Sequence, residues 1–166
     1  MSNDFGNIVL IGFMGSGKTT IGREVARLKQ TVLLDTDSII EANAGMSVNE
    51  IFSRLGEAHF REMEINLCEF IRKNVRNAVI ATGGGIPVNY DLREIGSVFY
   101  LKAPIKVLDE RVRYDTGNVR PLFSRFKLAA ELYKRRIHHY EKQADFTLNA
   151  LDSVAQVAQR ICDLRL

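Results

Sequence analysis

The sequence predicts an α/β protein built on a parallel sheet with helices on both faces. Short, continuously apolar runs alternate along the chain with stretches in which apolar residues recur at helical spacing. Strands that alternate with helices in this way form parallel sheets joined by right-handed crossovers. No linker or internal repeat divides the 166 residues, so we expect a single domain.

Five apolar runs mark the predicted strands. In chain order they are Asn7–Ile11, Thr31–Leu34, Ala78–Ala81, Ser97–Leu101 and, with the weakest pattern, Phe146–Leu148. Because they are short and lack polar alternation, they are typical of strands buried on both faces.

The helical pattern fills the segments between the strands. It covers residues 18–29, 57–74, 104–112, 124–141 and 153–164. The segment 36–76 is too long for one crossover helix, so we expect extra helices there, the first starting near Ser38, that form a cap over the strand ends. The polar stretch Tyr114–Val119 has no apolar period and predicts a mobile loop.

Composition narrows the class of protein. Hydrophobic residues make up 46% of the chain and charged residues 26%, values that exclude disordered and low-complexity architectures. The two cysteines, Cys68 and Cys162, lack metal-ligand spacing and favour a reducing compartment. Near the N-terminus there is no basic segment, and the apolar run Ile8–Ile11 is too short for a signal peptide or membrane span. We therefore expect a cytoplasmic protein without a membrane partner.

The charge is unevenly distributed. The net charge is only +3, but residues 111–142 contain nine Lys and Arg against three Asp and Glu. A nearly balanced chain with one basic sector favours a small anionic ligand over nucleic acid.

A phosphate-binding motif follows the first predicted strand. The segment Gly12-Phe-Met-Gly-Ser-Gly-Lys-Thr19 matches G-x-x-x-x-G-K-[ST]. The glycines allow successive backbone N–H groups to point at phosphates, and the next helix adds its positive end. Lys18 can reach the β- and γ-phosphates, and the Thr19 hydroxyl can bind Mg²⁺. Because the motif lies between a buried strand and a helix, we predict nucleotide binding and not an ordinary glycine-rich turn.

Two other strand ends carry unusual residues. Asp35 and Asp37 follow the second strand, and alternation would place both on one side if the strand continued. One of them could instead cap the next helix. Gly83–Gly85 follow the third strand and indicate either a flexible turn or close backbone approach to a ligand, with their bare N–H groups facing it. Since that strand lacks a terminal acid, Asp35 is left to supply a carboxylate near the metal. In a site that holds phosphates and Mg²⁺, an aspartate could also accept a hydrogen bond or a proton from an attacking hydroxyl.

Four arginines are candidates for binding anions, although most surface arginines are simply solvated. They are Arg61, Arg113, Arg120 and Arg136. A phosphoryl-transfer site needs cations around the developing charge, and an acceptor with a carboxylate suits a bidentate guanidinium.

In this order and spacing, the fragments resemble the shikimate kinase family, within the nucleoside-monophosphate-kinase-like P-loop enzymes, over nearly the whole chain. The resemblance rests on Gly12–Thr19, Asp35-Thr-Asp37, Ile51-Phe52, Gly56-Glu57, Phe60-Arg61-Glu-Met-Glu64, Thr82–Gly85, Arg120-Pro121, Arg136–Tyr140 and Ala144-Asp145. It implies a five-stranded sheet in the order 2-3-1-4-5, a substrate-binding cap near residues 36–63 and a lid near 112–123. It also implies a monomer that acts in the pathway to chorismate and aromatic amino acids.

The resemblance further implies transfer of the γ-phosphoryl group of ATP to the 3-hydroxyl of shikimate, with Mg²⁺ as cofactor. The implied ATP-binding residues are Gly12, Met14, Gly15, Ser16, Gly17, Lys18, Thr19, Thr20, Arg113 (stacked on adenine) and Arg120. The implied shikimate-binding residues are Asp37, Phe52, Phe60, Arg61, Glu64 (orienting Arg61), Gly83, Gly84, Gly85 and Arg136. Lys18, Asp37 and Arg120 would be catalytic, and Mg²⁺ would lie on Thr19 with Asp35 assisting through water.

Other functions stay open at this point. A gluconate or nucleoside-monophosphate kinase would share the phosphate loop, but its acceptor would lack the cyclic carboxylate that Arg61 and Arg136 would bind together. A non-catalytic module that responds to ATP would bind nucleotide without turnover, and binding of nucleic acid by residues 111–142 would depend steeply on salt. The segment Asn149–Leu151, where contacts with the base are expected, matches no motif.

Overall fold

We describe residues 6–116 and 122–164 from a computed structural model of the chain, with side chains except at 115–116 and 122–125. The strands are β1 (Ile8–Ile11), β2 (Leu33–Asp35), β3 (Val79–Ala81), β4 (Ser97–Lys102) and β5 (Phe146–Asn149). They form one parallel sheet in the order β2-β3-β1-β4-β5. The predicted fold class and strand order are confirmed.

Helices connect the strands. They are α1 (Lys18–Lys29), α2 (Thr36–Ala44), α3 (Val48–Leu55), α4 (Glu57–Asn74), α5 (Ile86–Asn89), α6 (Ile105–Thr116), α7 (Leu122–Gln143) and α8 (Val154–Leu164), with a 3-10 turn at Leu92–Glu94. Helix α5 and the 3-10 turn were not predicted, because they are too short to show a period in the sequence. Within the described ranges, no helix is long and apolar enough to cross a membrane.

The core lies on both faces of the central strand. Every residue of β1 is buried, because β3 and β4 pair with its two edges and helices cover both faces. Ile21 and Val25 of α1 join this core together with Val157 and Ile161 of α8. The carboxyl ends of β1, β2 and β3 therefore lie side by side at one edge of the sheet.

The first three helices after β2 share a small core of their own. Ile40, Ile51 and Phe60, from α2, α3 and α4, are buried against one another. A capping box between Ser47 and Glu50 fixes the start of α3. These helices occupy the segment where the cap is expected, but α4 continues without a break to Asn74, so the cap boundaries stay a prediction.

Two local predictions are wrong. The second strand begins at Leu33 and is only half-buried, because it lies at the edge of the sheet where one side has no neighbouring strand. The predicted loop Tyr114–Val119 is helical in its first residues, because α6 continues to Thr116. The remainder of that segment and Arg120 lie outside the described residues.

Candidate active site

The phosphate loop turns sharply between β1 and α1. Gly15 and Gly17 have φ of +82° and +89°, a left-handed conformation that favours glycine. The Lys18 ammonium donates to the carbonyl oxygens of Gly12 at 2.7 Å and Phe13 at 3.0 Å. Burial lowers the pKa of Lys18 to about 8, although Asp37 and Asp35 partly oppose this shift. The loop thus holds its cation close to both aspartates.

Asp35 links the phosphate loop to the cap. Its Oδ2 accepts a hydrogen bond from the Thr19 hydroxyl at 2.6 Å, and its Oδ1 accepts one from the Ser38 N–H at 3.1 Å. The second bond caps α2, which begins at Thr36 and not near Ser38 as predicted. Asp35 therefore caps the start of α2 and also accepts the hydrogen bond of Thr19 in the phosphate loop.

Asp37 reaches the site for a reason different from the predicted one. Strand alternation does not apply, because β2 ends at Asp35 and Asp37 lies in the first turn of α2. Its Oδ1 is buried and has no hydrogen-bond partner within the part of the chain that the structure describes. Burial and, secondarily, the charge of Asp35 raise the pKa of Asp37. Such a carboxylate is suited to accept a hydrogen bond or a proton from a ligand.

The three glycines after β3 lie against the charged groups of the site. A Cβ at Gly83 would be 2.7 Å from Asp37 Oδ1, and one at Gly84 would be 3.3 Å from Arg136 Nη1. A Cβ at Gly85 would overlap the Arg61 guanidinium. The expectation that all three N–H groups face a ligand is wrong for Gly83, whose N–H donates to the Thr36 hydroxyl at 2.8 Å.

Arg61 is held by two acids of its own helix. Its Nη1 donates to Glu64 at 2.6 Å and its Nη2 to Glu57 at 3.1 Å. Burial raises the pKa of Glu64, while the hydrogen bond from Arg61 opposes the shift. Oε1 of Glu64 is buried without a hydrogen-bond partner among the described residues. Glu64 therefore fixes the direction of the guanidinium, as its predicted positioning role requires.

Aromatic rings lie against two of the candidate arginines. The Arg61 guanidinium lies 5.8 Å from the ring centroid of Phe52 and 5.4 Å from that of Phe60. The Arg136 guanidinium lies 5.9 Å from the ring of Phe13, a phosphate-loop residue. Phe60 is at the same time part of the small core that α2, α3 and α4 share.

A cavity of about 460 Å³ opens between the cap and α7. Its lining residues are Glu57, Ala58, Arg61, Gly85, Val88, Asn89, Leu132, Arg135 and Arg136. Three arginines in one cavity favour an anionic ligand, and a planar carboxylate fits their fork geometry. No role was predicted for Arg135, which is exposed and lies one position before the half-buried Arg136 on α7.

The remaining predicted ATP-binding residues differ in burial and in contacts. Ser16 is fully buried, with its hydroxyl 3.4 Å from Lys18 Nζ, whereas Met14 and Thr20 are exposed. Arg113 forms an ion pair with Asp109, one turn earlier on α6. The predicted contact of Arg113 with adenine stays a prediction.

Two structural residues of the site received no role from the sequence. The Tyr140 hydroxyl donates to the Gly84 carbonyl at 2.7 Å, and the ring is fully buried. Gln143, one turn later, accepts from the Leu92 N–H and donates to the Tyr90 carbonyl, both at 2.8 Å. The only sequence signal for such residues was a polar side chain at a position where the helical pattern is apolar.

Comparison with known proteins identifies the family. A family model described as shikimate kinase matches residues 14–165. The shikimate kinase of Helicobacter hepaticus is 48% identical over 157 residues, covering 95% of this chain and 94% of the relative. The structure of the Acinetobacter baumannii shikimate kinase in complex with shikimate has a TM-score of 0.83 at 30% identity, covering 95% of this chain and 91% of that one.

A more distant neighbour shares the fold alone. A gluconokinase from Sinorhizobium meliloti superposes with a TM-score of 0.60 at 17% identity, covering 98% of this chain and 93% of that chain. The family model and the curated relative, in contrast, span nearly the whole sequence. The chain belongs to the shikimate kinase family.

Proposed function

We propose that this protein transfers the γ-phosphoryl group of ATP to the 3-hydroxyl of shikimate, with Mg²⁺ as cofactor. The observation that carries the proposal is the junction of three strand ends, where Gly83–Gly85 contact Asp37, Arg61 and Arg136 next to the phosphate-loop lysine. This edge combines a phosphate loop, a pair of cations and the Asp37 carboxylate, whose Oδ1 has no hydrogen-bond partner among the described residues. Family membership supports the same activity.

On the acceptor side, the arginines would bind the carboxylate of shikimate. Arg61 and Arg136 line one cavity, and their guanidinium groups lie against Gly85 and Gly84. The N–H groups of these two glycines are the candidates for further contacts, and Phe52 and Phe60 would form a wall. Asp37 would accept a hydrogen bond from the 3-hydroxyl and take its proton during transfer.

On the nucleotide side, the loop Gly12–Thr19 would bind the phosphates. Lys18 would leave the carbonyl oxygens of Gly12 and Phe13 and interact with the β- and γ-phosphates. Arg113 would stack on adenine and Arg120 would contact the transferring group. Because the protein supplies position and charge, with no covalent intermediate, catalysis depends on holding hydroxyl and phosphate in line.

The residues near Asp35 fit a magnesium ion. Thr19 Oγ1 and Asp35 Oδ2 lie 2.6 Å apart, and both are oxygen ligands of the kind that Mg²⁺ prefers. Thr19 would bind the ion directly and Asp35 through water. When bound, Mg²⁺ neutralises charge on the phosphates. Removal of divalent ions with EDTA should abolish turnover, and added Mg²⁺ should restore it; turnover that persists in EDTA would contradict this assignment.

The activity is tested by coupling ADP release to NADH oxidation, with Mg²⁺-ATP and either shikimate or gluconate. We expect ADP release that depends on shikimate, with little release in its absence or with gluconate. Folded protein that releases no ADP with shikimate would overturn the proposal. Turnover with gluconate alone would identify the rival sugar-acid kinase.

We further propose a cytoplasmic monomer that acts without nucleic acid. Both sides of the described site are built from one chain, and Cys68 and Cys162 are free thiols, as a reducing compartment favours. Light scattering during size-exclusion chromatography should give a mass near 18.8 kDa. A stable dimer would contradict the monomer.

A further inference from the structure

The guanidinium of Arg111, on α6, joins two loops that are distant in sequence. Its Nη2 donates to the Ala150 carbonyl at 2.9 Å, and its Nη1 donates to the Gly15 carbonyl at 3.3 Å. Gly15 belongs to the phosphate loop, and Ala150 directly follows β5. Neither the sequence motifs nor the site described above gives Arg111 a role.

Helix α6 packs directly on the phosphate loop at this point. A Cβ at Gly15 would lie 2.7 Å from the Leu108 carbonyl oxygen and 3.1 Å from Val112 Cγ2. These residues precede and follow Arg111 on the helix, so the loop rests on the surface from which the guanidinium projects. Small movements of Arg111 are therefore restricted by packing as well as by hydrogen bonds.

The backbone after β5 is held from two sides. The Ala150 N–H donates to the Lys102 carbonyl at 2.9 Å, while the Ala150 carbonyl accepts from Arg111. Asn149 Oδ1 accepts a further bond from the Leu151 N–H at 3.0 Å. Ala150 itself is buried. Arg111 thus adds a second point of attachment to this loop.

The strand order indicates what the bridge that Arg111 makes between the two loops is for. The acceptor residues lie at the ends of β2 and β3, and the phosphate loop lies at the end of β1. A nucleotide with its phosphates in that loop must extend away from the acceptor, toward the ends of β4 and β5. Resting on the function proposed above, we propose that Arg111 is a positioning residue of the nucleotide site, which sets the distance between the phosphate loop and the loop after β5 beside the base.

Two substitutions separate this role from general stabilisation. Arg111→Met removes both hydrogen bonds, whereas Arg111→Lys keeps the charge but cannot span two carbonyl groups in one plane. We expect Arg111→Met to raise the Kd for Mg²⁺-ADP and the KM for ATP by at least about fivefold. The kcat and the KM for shikimate should stay within about twofold, because neither carbonyl lies on the acceptor side. Arg111→Lys should give a smaller rise.

Base selectivity provides a second readout. If the loop after β5 loses its fixed position, the ratio of kcat/KM for ATP to that for GTP should fall in Arg111→Met. Arg160→Met is the matched control, since Arg160 pairs with Asp152 just after the same loop, on the side of α8. This control should keep the wild-type Kd and nucleotide ratio.

Calorimetric titration with Mg²⁺-ADP alone does not depend on the acceptor, so it tests Arg111 even if shikimate is not the substrate. Weaker ADP binding in Arg111→Met, with Arg160→Met unchanged, supports the proposal. Equal ADP affinities in both variants, or a lowered Tm with unchanged affinity and nucleotide ratio, would overturn it. If Arg111→Met does not fold, the same comparison with Arg111→Lys decides.

Discussion

The small size of three glycines gives the acceptor side its shape. Gly83, Gly84 and Gly85 do not need positive φ angles, since none of them adopts one. Each instead leaves a space that a charged side chain occupies: that of Asp37, of Arg136 or of Arg61. The sequence predicted close approach at this turn but ascribed it to backbone N–H groups, whereas the closest contacts are with side chains of the same protein.

Gly85→Ala tests this steric account. The backbone of Gly85 is in the right-handed helical region, so alanine fits it without strain. Its Cβ would displace the end of the Arg61 side chain, a flexible group that can move. We expect a Tm at or above the wild-type value and a KM for shikimate raised by about tenfold, equivalent to the loss of one charged hydrogen bond.

Thermal melting and steady-state kinetics measure the two effects separately. In an Arg61→Met background, the added methyl group should change the KM for shikimate little further, because its target is already absent. A full tenfold effect in that background would show that Gly85 acts on a different group.

Asp37→Asn tests the proposed base. The amide has nearly the same shape but does not accept a proton, so we expect kcat to fall by at least about 100-fold. The Kd for Mg²⁺-ADP, measured by calorimetry, should stay within about threefold, since Asp37 acts on Lys18 through its charge and no hydrogen bond joins the two among the described residues. Asp163→Asn, on the exposed face of α8, is the control and should be neutral. Normal turnover with weakened ADP binding would contradict the role of Asp37.

At the scale of elements, α7 both lines the site and holds neighbouring backbone in place. Arg136 faces the cavity, and Tyr140, one turn later, donates to the Gly84 carbonyl. Gln143 then ties the same helix to the backbone of α5 and the 3-10 turn. The spacing of these residues places all three on one face of the helix, so one element fixes both a ligand-binding cation and the loop beside it.

Tyr140→Phe tests this coupling between helix and loop. Loss of the buried hydrogen bond should lower the free energy of unfolding by about 1–2 kcal/mol and raise the KM for shikimate several-fold, because Gly84 is released. Tyr133→Phe is a matched control on the same helix, where the hydroxyl donates to Ala103 at 3.1 Å. We expect a similar loss of stability, measured by urea denaturation, without a change in KM. Equal KM values in both variants would contradict the coupling.

Sequence patterns predicted most elements because their causes are local. Continuous apolar runs and helical periods are present in the segments themselves, and β1, α1 and α4 agree closely with prediction. The errors arose where tertiary context decided. The edge position of β2 limits its burial, and the cap formed by Asp35 starts α2 early. Helix α6 continues to Thr116, into a polar stretch that has no apolar period.

The sequence predicted which residues belong to the site better than it predicted the contacts among them. Motif spacing located Lys18, Asp37 and the arginines, because the ends of parallel strands meet at one edge. Spacing alone could not predict that the Thr36 hydroxyl accepts a hydrogen bond from the Gly83 N–H, or that Arg111 donates to two carbonyl groups. Such contacts join residues 39 to 96 positions apart, and they depend on packing that no local pattern encodes.

At the scale of the whole molecule, the reactivity of the two thiols measures how well the core is shielded from solvent. Cys68 is buried on α4, the helix of Arg61 and Glu64, and burial raises the pKa of its thiol to about 12. A raised pKa leaves less of the reactive thiolate at pH 7.5. In native protein we expect an aromatic disulfide reagent to modify only the half-buried Cys162, and in guanidinium both thiols.

Ligands should slow the reaction of Cys68 further. In a Cys162→Ser variant, saturating shikimate with Mg²⁺-ADP should slow labelling at least about tenfold, because binding stabilises the closed molecule. Labelling of Cys68 as fast as that of Cys162 in the wild type would contradict a closed core at α4.

The central claim is that shikimate and nucleotide meet where β1, β2 and β3 end. A crystal structure with shikimate and Mg²⁺-ADP tests it most directly. We predict the carboxylate of shikimate between Arg61 and Arg136, a ring hydroxyl on Asp37, and the β-phosphate of ADP on Lys18. Shikimate bound elsewhere, with neither arginine on its carboxylate and Asp37 turned away from every hydroxyl, would contradict the account.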